Sequence, residues 1–214
     1  MGAKTWMLAY TDGNIRELLK TNPPMDRVAT SALAKRLFPS ETLKPIGDRD
    51  LSFTCPVANE IYIGCFPGVS IIAAKEFGGN CPSALPAHFI NLATANTVYL
   101  HAMHSVVTWS AYAIWVNGKI QRSLSVWCDG GILEDIGTRL PFEEPYWSGQ
   151  HSVFDVDIDK GELPFLFDPL DFGEAALAEL FGYHIAGADD PTHLQPKNIP
   201  LAGFQRVNPW WKLW

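Results

Sequence analysis

Between residues 105 and 128 the chain reads SVVTWSAYAIWVNGKIQRSLSVWC, and the Asn117-Gly118 pair in its middle constrains the fold more than any other feature. An Asn-Gly step between two β-prone runs is the strongest short hairpin signal, because both residues accept the positive φ of a two-residue turn. Such a turn sets Val116 against Lys119 and Trp115 against Ile120. Alternation along the strands then puts Trp109, Ala111, Ala113 and Trp115 beside Ile120, Leu124 and Val126 on one face, the expected core face. Thr108, Ser110, Tyr112 and Ile114 lie on the other, with Lys119, Gln121, Ser123 and Ser125. One residue breaks the core face, Arg122, which this register places opposite Ala113. An inward arginine needs a counter-charge, so Arg122 is expected to be buried and paired with Glu134, Glu143 or Glu144.

The remaining chain carries signals for further strands and for three to four helices. KTWMLAY at the start is short, apolar and β-prone. NIRELLK follows a DGN turn, and Asn14 and Glu17 have capping-box spacing. PMDRVATSALAKRLFP repeats its apolar residues at helical spacing, with Pro24 and Asp26 at the start and Pro39 at the stop. EIYIGCF and VSIIAAKEF are two strands joined by a tight turn at FPGV. LPAHFINLATAN is a short helix leading into the strand TVYL, and GEAALAELFGY has the spacing of a final helix. GGILEDIG is a short strand, and RLPFEEPYW after it is a loop or helical turn. No internal repeat or long linker divides the chain. The fold expected is a single α+β domain over residues 1–185, with a mixed or mostly antiparallel sheet centred on the N-G hairpin. Residues 186–214, rich in proline and polar groups, are expected to form an irregular tail packed on the domain or on a partner.

Charge and composition exclude several classes. Residues 1–128 hold eleven basic against eight acidic residues, whereas residues 129–214 hold five against fifteen. An acidic C-terminal part argues against binding nucleic acid or an anionic membrane through that region. No apolar run approaches the roughly 18 residues of a membrane span. MGAKTWMLAYTDG has neither the apolar core of a signal peptide nor a cleavage site, so the chain is expected to be cytoplasmic. Cys55, Cys65, Cys81 and Cys128 have no metal-binding or redox spacing and are expected to be free thiols.

Four residues could carry chemistry. His101 and His104 lie three apart in VYLHAMHSVV. On one continuous strand an offset of three sends the two side chains to opposite faces, so they converge only if the chain breaks between them. Cys65, at a predicted strand end, could act as a nucleophile with one of these histidines as base and a carboxylate such as Glu143 or Glu144 as the acid. Free buried thiol and hydrogen-bonded structural histidines are the plainer readings. Glu143 and Glu144 stand together in LPFEEPYW beside Trp147. With Arg122, Glu144 and Trp147 are candidate binding residues, since paired carboxylates next to aromatics can serve as an acid/base pair or hold a sugar ring. DVDIDKGE, 155–162, imitates the start of a calcium loop, but its glycine falls at loop position seven and position twelve is Leu166. No metal and no cofactor is expected. The terminal PWWKLW could anchor a protein partner or a second copy.

KTWMLAYTDG, YIGCFPGV, TVYLHAMHSVV, WVNGKIQRSLSV with ILEDIG, and RLPFEEPYW together resemble an actinobacterial family of unknown function, over most of residues 1–185 and again at IPLAGF. The resemblance implies no activity and no site residues. The hairpin, with an arginine soon after its turn and a glutamate-rich stretch later, is also similar in pattern to immunity-type or stress-associated modules. The function expected is a non-enzymatic module binding a protein or small ligand, and the alternative is a hydrolase-like enzyme centred on His101 or His104.

Overall fold

In a computed structural model, which describes residues 3–91, 95–152, 165–186 and 192–207, nine antiparallel strands form one open sheet. The strands are β1 (Lys4–Thr11), β2 (Thr42–Asp50), β3 (Glu60–Phe66), β4 (Val69–Ala73), β5 (Thr97–His104), β6 (Trp109–Val116), β7 (Lys119–Trp127), β8 (Gly131–Gly137) and β9 (Pro200–Val207). Their order across the sheet is β2-β9-β3-β4-β1-β5-β6-β7-β8. Five helices pack on the sheet or cap its loops: α1 (Ile15–Leu19), α2 (Arg27–Leu37), α3 (Ala87–Asn91), α4 (Glu144–Trp147) and α5 (Pro169–Phe181). The α+β class read from the sequence is the class observed.

Local chemistry explains the helix ends. Asn14 accepts from the Glu17 amide and Asp26 from the Ala29 amide, satisfying donors that the first turns of α1 and α2 leave open. Asp168 does the same for α5, which ends on Gly182 in the left-handed conformation.

Two cores sandwich the sheet. On one face, α1, α5 and the segment around α4 cover Met7, Ile71, Tyr112, Leu124 and Phe172. On the other, α2, α3 and short 3-10 turns near residues 75–84 cover Leu8, Ile63, Leu100, Ala111 and Trp115. Central strands buried on both faces explain why β1 and β6 are apolar almost throughout, with no clean alternation.

The N-G hairpin forms as read. Asn117 and Gly118 both have positive φ, Val116 faces Lys119 and Trp115 faces Ile120. Beyond that point the expected register fails. A β-bulge at Gln121 shifts β7 by one residue, so Arg122 faces Ile114 and Ser123 faces Ala113. Because side chains alternate, a slip of one residue exchanges faces. Arg122, Leu124 and Val126 therefore share a face with Tyr112 and Ile114, while Trp109, Ala111, Ala113 and Trp115 lie on the opposite face with Ser123 and Ser125.

The C-terminal segment differs from the expected irregular tail. Residues 200–207 are strand β9, inserted between β2 and β3. Residues 209–214, the aromatic end, lie outside the described residues.

Candidate functional site

Strand β5 runs unbroken through both histidines, and the turn comes after them, at residues 105–108. His101 and His104 therefore point to opposite faces of the sheet, as an offset of three on one strand requires.

His101 is fully buried under α5. Its Nε2 lies 2.8 Å from the Gly173 carbonyl and its Nδ1 lies 2.7 Å from the Thr5 hydroxyl. The carbonyl can only accept, so Nε2 carries the proton and Nδ1 accepts from Thr5. Burial, only partly offset by the Gly173 hydrogen bond, pushes the imidazole down to about 4, and the ring is neutral. Gly173 is required here: a Cβ at that position would lie 2.8 Å from both Met103 and Ser110. That close approach seats α5 on the sheet and brings the carbonyl to the ring. His101 has both nitrogens engaged in holding α5, which is a structural task.

Glu143, also on the α5 face, is fully buried and surrounded by donors. Arg122 grips it in a two-toothed fork, Nε to Oε1 at 2.9 Å and Nη2 to Oε2 at 2.6 Å. Tyr112 donates its hydroxyl at 2.5 Å, Trp147 its indole N–H at 3.2 Å, and the Leu140 amide caps the cluster at 2.6 Å. Arg122 also binds Asp135 and the Ile136 carbonyl. Burial opposes the Arg122 charge, but hydrogen bonds to Glu143 and Asp135 outweigh it and raise the guanidinium pKa. Burial, with Glu143 as acceptor, raises the Tyr112 hydroxyl as well. The expected burial and pairing of Arg122 are thus observed, with Glu143 as the deep partner and Asp135 as a second one. Glu134 instead accepts from Ser83 and Ser123. Trp147 stacks under Arg139, 4.0 Å from the guanidinium to the ring centre. Glu144 is exposed and makes no ion pair among the described residues. Every polar atom of this cluster is spent on its neighbours, so the cluster ties α4 and β8 to the hairpin.

Cys65 is buried on the opposite face, where its thiol accepts from Ser70 at 3.3 Å. Burial raises the thiol pKa, the reverse of an activated nucleophile. His101 lies on the other side of the sheet. His104 shares the face of Cys65 but is three strands away, about 14 Å across the sheet, and six residues further along, roughly 20 Å. Cys65, His104 and Glu143 do not converge, and no nucleophile-base-acid set forms from the residues read as catalytic. Among the described residues no group of three His, Cys, Asp or Glu side chains could hold a metal. The calcium-like stretch 155–162 lies outside them.

His104 has different surroundings. It lines a recess of about 250 Å³ together with Trp6, Gly78, Asn80, Val107, Trp109 and Trp127. Three strands supply the tryptophans: Trp6 on β1, Trp109 across from His104 on β6, and Trp127 across from Trp109 on β7. The loop 78–80 closes one side. Gly78 is needed there, because a Cβ would sit 2.1 Å from the Trp6 indole nitrogen. Trp109 is anchored by donating to Ser125 at 2.9 Å. By contrast, His104 Nδ1 and Trp127 Nε1 are buried without a hydrogen-bond partner. Burial, reinforced by the nearby Lys4 ammonium, lowers the His104 pKa. Lys4 is the cross-strand partner of His104 and makes no ion pair among the described residues. A second recess of about 220 Å³ adjoins at Asn80 and is lined by Phe77, Cys81, Leu85 and Leu100. Sequence reading found His104 but not its companions: Trp6, Trp127 and Asn80 are far apart in the chain, and only the strand order assembles them.

Residues 5–204 match a family of unknown function, DUF6928. The chain belongs to that family. The match covers the sheet from β1 into β9 and includes every lining residue of the recess, in line with the resemblance read from the motifs. No curated protein and no solved structure matches the chain. None of the helices among the described residues is long and apolar enough to cross a membrane.

Proposed function

We propose that this DUF6928 chain is a non-enzymatic binding module of the cytoplasm that takes a small organic ligand in the tryptophan-lined recess around His104. One observation carries the reading: two side chains of the same recess, His104 and Trp127, hold buried polar atoms with no partner, beside an opening walled by three indoles. A buried donor or acceptor left unpaired costs about 1–3 kcal/mol, and a ligand that completes the pairing recovers that cost. Indole walls offer large, rigid apolar area and a fixed N–H, the combination that favours recognition of flat or apolar groups. The acidic C-terminal part and the aromatic end, residues 209–214, leave room for a protein partner or a second copy as a separate activity of the same module.

The test is a titration of the full chain with indole, followed through the tryptophan side-chain N–H signals in a ¹H–¹⁵N spectrum. The expected result is a saturable shift concentrated on Trp6, Trp109 and Trp127. Absence of any saturable shift at millimolar indole, or shifts spread evenly over all the tryptophans, would overturn the proposal.

A further inference from the structure

We infer that the ligand of the recess is a small aromatic acid, a one- or two-ring molecule carrying a carboxylate that meets Lys4 on the β1 side of the recess. This inference rests on the recess being a ligand site and adds the chemical class of its occupant.

Size sets the first limit. A volume of about 250 Å³ falls below the roughly 300–1,000 Å³ of sites for drug-sized ligands, so one or two rings fill it. Shape sets the second, since the walls are the indoles of Trp6, Trp109 and Trp127 with Val107, surfaces that match a flat ring.

Charge and hydrogen-bonding capacity select the polar end. An indole N–H can only donate, so the unpaired Trp127 Nε1 asks for an acceptor. Lys4 does not line the recess but borders it, directly across from His104 and on the same face as Trp6, with a half-buried side chain and no ion pair among the described residues. Directly opposite residues on neighbouring strands have Cβ atoms about 4.5–5.5 Å apart, well within the reach of a lysine stem. Asn80 adds a carboxamide that can donate, and no carboxylate lines the recess. A cationic ligand would find indole faces but would meet Lys4 with no acidic residue to offset the repulsion. A carboxylate on the β1 side of the recess finds the Lys4 ammonium, while Trp127 offers its N–H three strands away, about 14 Å across the sheet.

Three probes that share one ring separate these cases: indole, indole-3-acetate and tryptamine, neutral, anionic and cationic, each titrated calorimetrically into the full chain. Indole-3-acetate is expected to bind at least tenfold tighter than indole, with tryptamine the weakest. The gain should shrink as salt rises, because the contact is electrostatic. Lys4→Met should remove the gain of the acid over indole, and Lys4→Arg should retain it; thermal melting of both variants verifies that they fold. Equal affinity for indole and its acid, tighter binding of tryptamine, or a gain that survives in Lys4→Met would each overturn the carboxylate assignment while leaving the recess a ligand site. If none of the three probes binds, the recess reading itself fails and takes this inference with it.

Discussion

The two faces of the sheet carry two polar clusters that treat hydrogen bonding in opposite ways. On the α5 face, Glu143 receives donors from Arg122, Tyr112, Trp147 and the Leu140 amide, and His101 has both ring nitrogens engaged. On the other face, His104 and Trp127 each keep a buried polar atom without a partner, beside an opening large enough for a small molecule. Composition does not distinguish them, since both combine a histidine, at least one tryptophan and a basic residue. Completion does. A closed network contributes to folding and has nothing left to offer a ligand, whereas an open one costs stability and can recover that cost only from outside.

Breaking the closed cluster has the largest expected effect. Glu143→Leu leaves the Arg122 charge buried against a missing partner, and removal of one member of a buried ion pair costs about 3–5 kcal/mol. An unfolding free energy from urea denaturation that falls by less than a fifth of that amount would mean that Arg122 is not held as described. Restoring neutrality with Arg122→Met in the same chain should recover part of the loss.

The second effect depends on pH through His101. Its folded pKa of about 4 lies below the 6.5 of the free side chain, because burial opposes the charge. The unfolded chain thus binds more protons between these values. The stability that comes from a neutral His101 is fully present above pH 6.5 and is lost as the pH falls towards 4, about 3 kcal/mol in all. In His101→Gln the slope of unfolding free energy against pH across that window should be shallower by about one proton. Parallel slopes in the two chains would show that His101 is already charged in the fold.

The smallest effect contrasts the faces directly. Tyr112→Phe removes a hydroxyl that donates to a carboxylate, and hydrogen bonds to charged groups contribute about 1.5–3 kcal/mol. His104→Phe removes a ring nitrogen that has no partner, so stability should stay level or rise, by up to about 1 kcal/mol. If both substitutions destabilise alike in thermal melts, the distinction between a closed and an open cluster is lost.

Much of the fold was legible in local chemistry. The Asn117-Gly118 turn, the capped starts of α1 and α2, the Pro67-Gly68 turn between β3 and β4, and the helical spacing of α5 all depend on near neighbours in the chain. Strands β2 and β9 were not legible. TLKPIGDRD and PLAGFQRV carry proline and glycine inside the strands, and β2 is largely exposed at the sheet edge, so neither shows a β pattern. The bulge at Gln121 was also invisible, and it moved Arg122 from its expected place opposite Ala113 to a place opposite Ile114. The partner Glu143 was still anticipated, because the argument rested on the cost of an unpaired inward charge and not on the register.

By itself the sequence determined the α+β class, the hairpin, the opposite orientation of His101 and His104 on an unbroken strand, and the need of Arg122 for an acid. These follow from backbone geometry and from the cost of burying charge, which act within a few residues or on any fold. Only the tertiary structure decided that β9 enters between β2 and β3, that Cys65 lies far from both histidines, and that Trp6, Asn80, His104 and Trp127 share one recess. Those placements depend on the order of strands across the sheet, which pairs residues as far apart in the chain as Thr42 and Val207. No local pattern in the chain encodes that order.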